Sequence, residues 1–312
     1  MKYFITGGAG FIGSHMVDAL IQRGEEVTVF DNLTSGKLDY ISHHSTDKHF
    51  EFIKGDVGDL NRLKKAVAGH DFIFHFASNP DIARGMLETD LDLREGTILT
   101  FNVLEAMRLK GVKKIIYSSG SGVYGEAETI PTPETYGPLF PISMYGASKM
   151  ACEGLISAFC HLFDMQAYIF RFANIVGKRQ THGVGFDFIR TLRKDSTRLK
   201  ILGDGNQSKS YIHVNDVVDA MLFVMESAED RVNVFNVATD EYITVREISQ
   251  IIIKEMGFKN VKFVYTGGDR GWKGDVPHIR FDLNKIHSYG WKAKLSSSEA
   301  IRKSVQEILG DM

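Results

Sequence analysis

Short apolar runs alternate with amphipathic stretches through the first half of the chain. Residues 3–6, 26–30, 71–76 and 112–118 read as buried strands, while 11–22, 60–68 and 93–109 repeat their apolar positions at helical spacing. That alternation predicts a parallel sheet with crossover helices on both faces. In the first helix Ile12, Met16, Ala19 and Leu20 share the inward stripe, and Gly24 stands where a C′ glycine would end it. After Gly125 comes a turn-rich segment holding Pro131, Pro133, Pro138 and Pro141, then a helix over 143–161 and a strand over 167–172. Beyond Asn174 the character changes: glycines recur at 177, 183, 185, 203 and 205, strands shorten, and helices are predicted at 214–225, 245–256 and 297–309. The expected architecture is α/β. Residues 1–175 form a Rossmann-type doubly wound parallel sheet, joined by about 214–240, and 176–312 less that segment form a smaller C-terminal α/β substrate domain.

Composition narrows the functional classes. With 312 residues, 43% apolar and 24% charged, the chain can bury one large core or two moderate ones, which excludes disorder. Its 37 basic and 39 acidic residues leave a net charge of −2 without a basic run, so neither nucleic acid nor a membrane surface is an expected partner. The opening MKYFIT lacks the features of a signal peptide, and no 18-residue apolar run occurs, so a cytoplasmic location is expected. Cys152 and Cys160, eight apart in one predicted helix, would lie roughly 12 Å apart, too far to bridge. Among the histidines, His43 and His44 fall in a polar loop without a further ligand at helical or finger-like spacing, and no metal is expected.

Thr6-Gly7-Gly8-Ala9-Gly10-Phe11-Ile12-Gly13 joins the first strand to the first helix and satisfies Gly-x-Gly-x-x-Gly with Gly8, Gly10 and Gly13. Glycines there permit a tight turn and close approach to a pyrophosphate, which the amides of the helix N-terminus attract. The pattern alone is weak, but it sits at a strand–turn–helix junction and Asp31 follows Gly13 by 18 residues at the end of the second strand. A carboxylate there accepts both adenosine ribose hydroxyls and repels the 2′-phosphate of NADP, so the expected cofactor is NAD. Gly7, Gly10, Phe11, Ile12, Gly13, Asp31 and Asn32 are its candidate contacts. Asp56 and Val57 are candidates to flank the adenine, and Phe76 and Ala77 to line the pyrophosphate path.

Tyr145-Gly-Ala-Ser-Lys149 places a phenol and an ammonium at i and i+4, on one helix face. A tyrosine that serves as a base near neutral pH needs about 4 kcal/mol of preferential phenolate stabilisation. A nearby ammonium and the positive nicotinamide ring both have the sign to supply it.

Together Thr6–Gly13, Asp31, SSGSGVYG at 118–125, Tyr145–Lys149 and RFANIVG at 171–177 resemble the extended short-chain dehydrogenase/reductase family that acts on nucleotide sugars. The resemblance runs nearly end to end. GDGNQSKSYIHVNDVVDA at 203–220 and GDVPHIRFDLNK at 274–285 bring it closest to the UDP-glucose (UDP-galactose) 4-epimerases. It implies that Tyr145 takes the proton of the sugar 4-hydroxyl, that Lys149 holds the cofactor ribose, and that a transient 4-keto sugar turns and is reduced on its other face. A homodimer through the 93–109 and 143–161 helices is implied as well.

The chain departs from the family at the hydroxyl that contacts the 4-oxygen, because Gly120 occupies its position. Either Ser119 or Ser121 stands in, with Ser119 preferred, or the site works with less help. For the UDP-sugar the resemblance implies Asn174 and Lys209 on the diphosphate, Lys209 replacing an arginine. A second family arginine has Trp272 at its offset, and Arg270 is the expected substitute; Arg84 is read as a solvated loop residue. Ile279 stands where some epimerases carry a tyrosine that crowds C2, which leaves room for an N-acetyl group. Gly120-Ser121-Gly122 offers no acid of the kind that dehydratases and decarboxylases need beside the catalytic hydroxyl. The competing readings are a UDP-glucuronate 4-epimerase and an NAD-binding regulator without chemistry.

Overall fold

Strands β1 (Lys2–Thr6), β2 (Glu26–Asp31), β3 (Phe50–Lys54), β4 (Phe72–His75), β5 (Lys114–Gly120), β6 (Gln166–Phe172) and, far along the chain, Val232–Val237 build one seven-stranded sheet. The computed structural model describes residues 1–311. Numbered in chain order, the shorter strands between are β7 (Asn174–Val176), β8 (Arg198–Ile201), β9 (Ser208–Lys209) and β10 (Tyr211–His213), so Val232–Val237 is β11. The sheet order is β11-β6-β5-β4-β1-β2-β3. The pairs β1·β2, β2·β3, β1·β4 and β4·β5 are parallel. Chain direction across the sheet therefore reverses between β1 and β4, the switch point where open α/β sheets leave a crevice at their carboxyl ends.

Helices α1 (Phe11–Gln22), α2 (Leu60–Ala66), α3 (Leu99–Lys110) and α4 (Met144–Phe163) supply the crossovers. Of the predicted inward stripe of α1, Met16 and Leu20 are buried while Ile12 and Ala19 are half-buried, and Val17, outside that stripe, is buried as well; Gly24 ends the helix at φ +75° with its amide on the Ile21 carbonyl. The single helix expected over 93–109 is instead a π-helical turn, Leu93–Ile98, that leads into α3. Gly96 of that turn packs on α4 so closely that a Cβ would lie 2.3 Å from Ser148 Oγ, and Ser148 in turn donates to the Asp92 carbonyl.

Two units divide the described chain: Met1–Val123, Leu139–Arg171 and Met221–Phe235 in one, and Tyr124–Pro138, Phe172–Ala220 and the chain from Asn236 in the other. In the first, Phe4, Phe30, Ile73, Ile115 and Ile169 of the sheet pack with Val103, Met107, Cys152, Ile156 and Cys160 of α3 and α4. Both cysteines are buried free thiols. In the second, α5 (Val184–Lys194), α7 (Val245–Glu255) and α9 (Ser297–Asp311) enclose a core of Phe188, Ile189, Ile248, Ile252, Ile301 and Val305. Helix α6 (Val214–Ser227) precedes β11, the short α8 (Asn284–Ser288) precedes α9, and β12 (Ile243–Thr244) and β13 (Lys262–Tyr265) pair with β9 and β8. The segment Tyr124–Pro138 is held in this unit by Thr132, whose amide donates to the Arg280 carbonyl and whose carbonyl accepts from Asp282 and Asn236.

Candidate active site

At the end of β1, Gly7 takes φ +72°, and a Cβ there would fall 2.7 Å from the Ala77 amide nitrogen and 2.9 Å from the Phe76 carbonyl carbon. The turn and the end of β4 thus touch through backbone, with the Phe76 amide on the Thr6 carbonyl at 3.0 Å. Gly13 lets α1 lie directly on the turn, since its Cβ would be 2.3 Å from the Gly7 carbonyl oxygen. Gly10 caps α1 without a side chain, which leaves the first-turn amides at Phe11, Ile12 and Gly13 open to an anion.

Asp31 is buried at the end of β2, where Oδ2 accepts the Ala9 amide at 3.0 Å and Oδ1 the Leu33 amide at 2.8 Å. Burial raises its pKa, and the two amides act against that rise. Two amides leave lone pairs on both oxygens for ribose hydroxyls. Asn32 donates to Asp56 Oδ2 at 2.9 Å, Asp56 Oδ1 accepts the Gly58 amide, and the carbonyl of buried Val57 accepts from Asn102. A cradle that any Cβ would fill, an uncapped helix N-terminus and a carboxylate beside them fit a dinucleotide, so these residues suit NAD.

Ser143 caps the start of α4, its Oγ accepting the Gly146 amide at 3.1 Å, and this puts Tyr145 in the first turn. Lys149, one turn on, is 4% exposed. Its Nζ donates to the Ser118 carbonyl at 2.7 Å and lies 4.9 Å from the Tyr117 ring centre and 5.4 Å from that of Tyr145. Gly146 is required by contact: its Cβ would lie 2.3 Å from the Gly122 carbonyl oxygen. Beneath the pair, buried His75 bridges Thr6 Oγ1 at 2.7 Å and Thr100 Oγ1 at 3.0 Å. Burial first, then the charge of Lys149, pushes the His75 pKa down to about 3, so this imidazole is neutral at pH 7.

The hydroxyl of Ser119 donates to Glu153 Oε1 at 2.5 Å, and Glu153 pairs with Arg171 through Nε at 3.1 Å and Nη2 at 2.6 Å. All three are buried. Ser121, in the 3-10 turn after β5, is partly exposed and its hydroxyl bonds to none of the described residues. Sequence reading missed Glu153; its one signal is the i+4 spacing from Lys149.

In the second unit Asn174 opens β7, with its amide and Nδ2 on the Ser210 carbonyl. Lys209 Nζ lies 2.5 Å from Asp275 Oδ1, and Arg270 donates through Nη1 to the Asp275 carbonyl at 3.0 Å and pairs with Glu126. Asp275 thus brings together two candidate cations 61 residues apart in the chain. Ile279 is partly exposed, and Arg84 is exposed and paired with Glu88 at 2.8 Å. Among the described residues no helix is long and apolar enough to cross a membrane.

Residues 3–238 match the model of the "NAD dependent epimerase/dehydratase family". A UDP-glucose 4-epimerase of Mycolicibacterium smegmatis is 32% identical over 314 residues, which cover 98% of each chain. The structure of a UDP-glucose 4-epimerase from Thermotoga maritima with UDP-glucose superposes at a TM-score of 0.90, with 33% identity over 100% of this chain and 99% of that one. A UDP-N-acetylglucosamine 4-epimerase from Methanobrevibacter ruminantium gives a TM-score of 0.90 at 28% identity, with coverage of 100% and 99%. Fold, dinucleotide cradle and sequence agree, and this chain belongs to the NAD dependent epimerase/dehydratase family as an epimerase-type enzyme whose cofactor is NAD.

Proposed function

We propose that the chain interconverts the C4 epimers of a UDP-hexose, UDP-glucose and UDP-galactose, through a transient 4-keto sugar. Tyr145 takes the proton of the 4-hydroxyl and returns it after the keto sugar has turned over. Lys149 stabilises the phenolate from the same helix face and is oriented by the Ser118 carbonyl. NAD, when bound, supplies the reversible hydride acceptor, and Gly7, Gly10, Phe11, Ile12, Gly13, Asp31, Asn32, Asp56, Val57, Phe76 and Ala77 are assigned to hold it. Asn174, Lys209 and Arg270 are assigned to the diphosphate, which the two cations reach by exchanging Asp275 and Glu126 for phosphate oxygens. The hydroxyl toward the 4-oxygen comes from Ser119 if its hydrogen leaves Glu153 and from Ser121 otherwise. Alanine variants of the two separate these routes.

The observation that carries this reading is the Lys149 ammonium 5.4 Å from the Tyr145 ring centre, on a helix start packed against the turn after β5. Tyr145→Phe should abolish turnover and spare bound NAD, whereas full activity would refute the assignment. Ile279 supports a second substrate, UDP-N-acetylglucosamine, because no aromatic ring stands at that position. Parallel assays with UDP-glucose, UDP-N-acetylglucosamine and UDP-glucuronate decide the sugar, and bound NAD without turnover of any would favour the regulator reading. We further assign the chain to the cytoplasm and to a homodimer. Exposed Leu93, Ile98, Phe101, Leu109 and Leu162 on the π-helical turn, α3 and α4 support the dimer, which sedimentation tests.

A further inference from the structure

We propose that Asp18, His43 and His44 form a binding site for a divalent transition-metal ion of the zinc class. Asp18 lies on α1, and the two histidines end a 3-10 turn, Ser42–His44, in the loop between β2 and β3. Both imidazoles direct Nε2 at the same carboxylate oxygen: His43 lies 3.0 Å and His44 2.7 Å from Asp18 Oδ1. One ligand atom from each residue lies within 4.8 Å of the other two. A tetrahedral ion with bonds of 2.0–2.1 Å spaces its ligand atoms about 3.3 Å apart. To reach that spacing His43 and His44 would open from the carboxylate by about 0.3 and 0.6 Å, and their two ligand nitrogens, within 4.8 Å of each other, would settle to it as well.

The donors are borderline-soft nitrogens with a single oxygen. That set suits zinc, cobalt, nickel or copper and leaves calcium and magnesium, which take mainly oxygen, poorly served. Three protein ligands leave a fourth position, and the half-exposed His43 side opens it to water. The ligands are also held in place. The His44 side chain is 14% exposed, its ring 5.7 Å from that of Phe50 on β3, and its amide and carbonyl bond to Ile41 and Asp47. The His43 ring lies 4.0 Å from that of His44. Separately, the same loop is tied to the glycine-rich turn by the Lys37 amide on the Ala9 carbonyl at 2.9 Å. A bound ion would strengthen the link to α1 that the His43 and His44 contacts with Asp18 make. None of the three residues belongs to the catalytic or cofactor-binding set.

The test uses tag-free holoprotein stripped with chelator, titrated with zinc chloride in a calorimeter and with cobalt(II) by visible absorption. One ion per chain, a four-coordinate cobalt spectrum and a raised Tm are expected. Asp18→Asn, His43→Gln and His44→Gln should each weaken binding by roughly tenfold or more, by loss of a direct ligand, without loss of circular dichroism. These substitutions are near-isosteric and partly exposed, so folding should survive. If one variant fails to fold, the other two carry the test. Absence of uptake by the wild type, or unchanged affinity and stoichiometry in the folded variants, would overturn the site.

Discussion

Replacing Gly146 by alanine puts a methyl group where the backbone leaves no room. The new Cβ would lie 2.3 Å from the Gly122 carbonyl oxygen, 2.9 Å from its carbon and 3.2 Å from Pro141 Cβ. Ordinary contact begins at 3.4 Å, so the shortfall against the oxygen is 3.4 − 2.3 = 1.1 Å, and the two nearest atoms are backbone. Either the first turn of α4 or the turn after β5 must move by about that much, and both border Tyr145. A misplacement of about 1 Å costs roughly 10²-fold in rate, or about 2.7 kcal/mol of barrier. For Gly146→Ala we therefore expect kcat with UDP-galactose to fall by about two orders of magnitude while NAD stays bound. Gly154→Ala is the control on the same helix: nothing lies within 4 Å of its Cβ. That change should leave turnover intact and raise stability by up to about 1 kcal/mol. Turnover of Gly146→Ala within twofold of wild type, in protein of wild-type circular dichroism, would refute the claim that this contact positions the tyrosine.

Other outcomes follow from the buried polar groups. Arg171→Met strands the Glu153 carboxylate and should cost about 3–5 kcal/mol in urea denaturation, much of it recovered in the Arg171→Met/Glu153→Met double variant. The folded pKa of His75, about 3, lies below its unfolded value of 6.5, so its contribution is present above pH 6.5 and is lost as pH falls toward 3. His75→Gln should make the loss of stability with acid shallower in that window by up to about 1.4 kcal/mol per pH unit; an unchanged slope would show that His75 does not stay neutral in the folded state. Asp31→Asn removes the charge that opposes a 2′-phosphate and should narrow the preference for NAD over NADP by roughly tenfold or more, as read by equilibrium binding of both.

What the amino-acid order determined by itself is local. Gly7 to Gly13 must make a strand–turn–helix junction because few other residues tolerate its close contacts, and the i,i+4 rise of a helix brings Tyr145 and Lys149 to one face. Strand alternation likewise announced the sheet, and Asp31 the end of its second strand. Tertiary structure alone decided the partners. Glu153 meets Arg171 and Ser119 because α4 lies against β5 and β6, and Lys209 meets Arg270 through Asp275. Asp18 meets His43 and His44 only when the loop after β2 folds back on α1. The π-helical turn Leu93–Ile98, whose Gly96 packs closely on Ser148 of α4, stands where helical periodicity predicted one continuous helix. In each case the interacting groups lie far apart in the chain or on separate elements, so strand order and crossover direction, which no local spacing encodes, set which side chains share a buried volume.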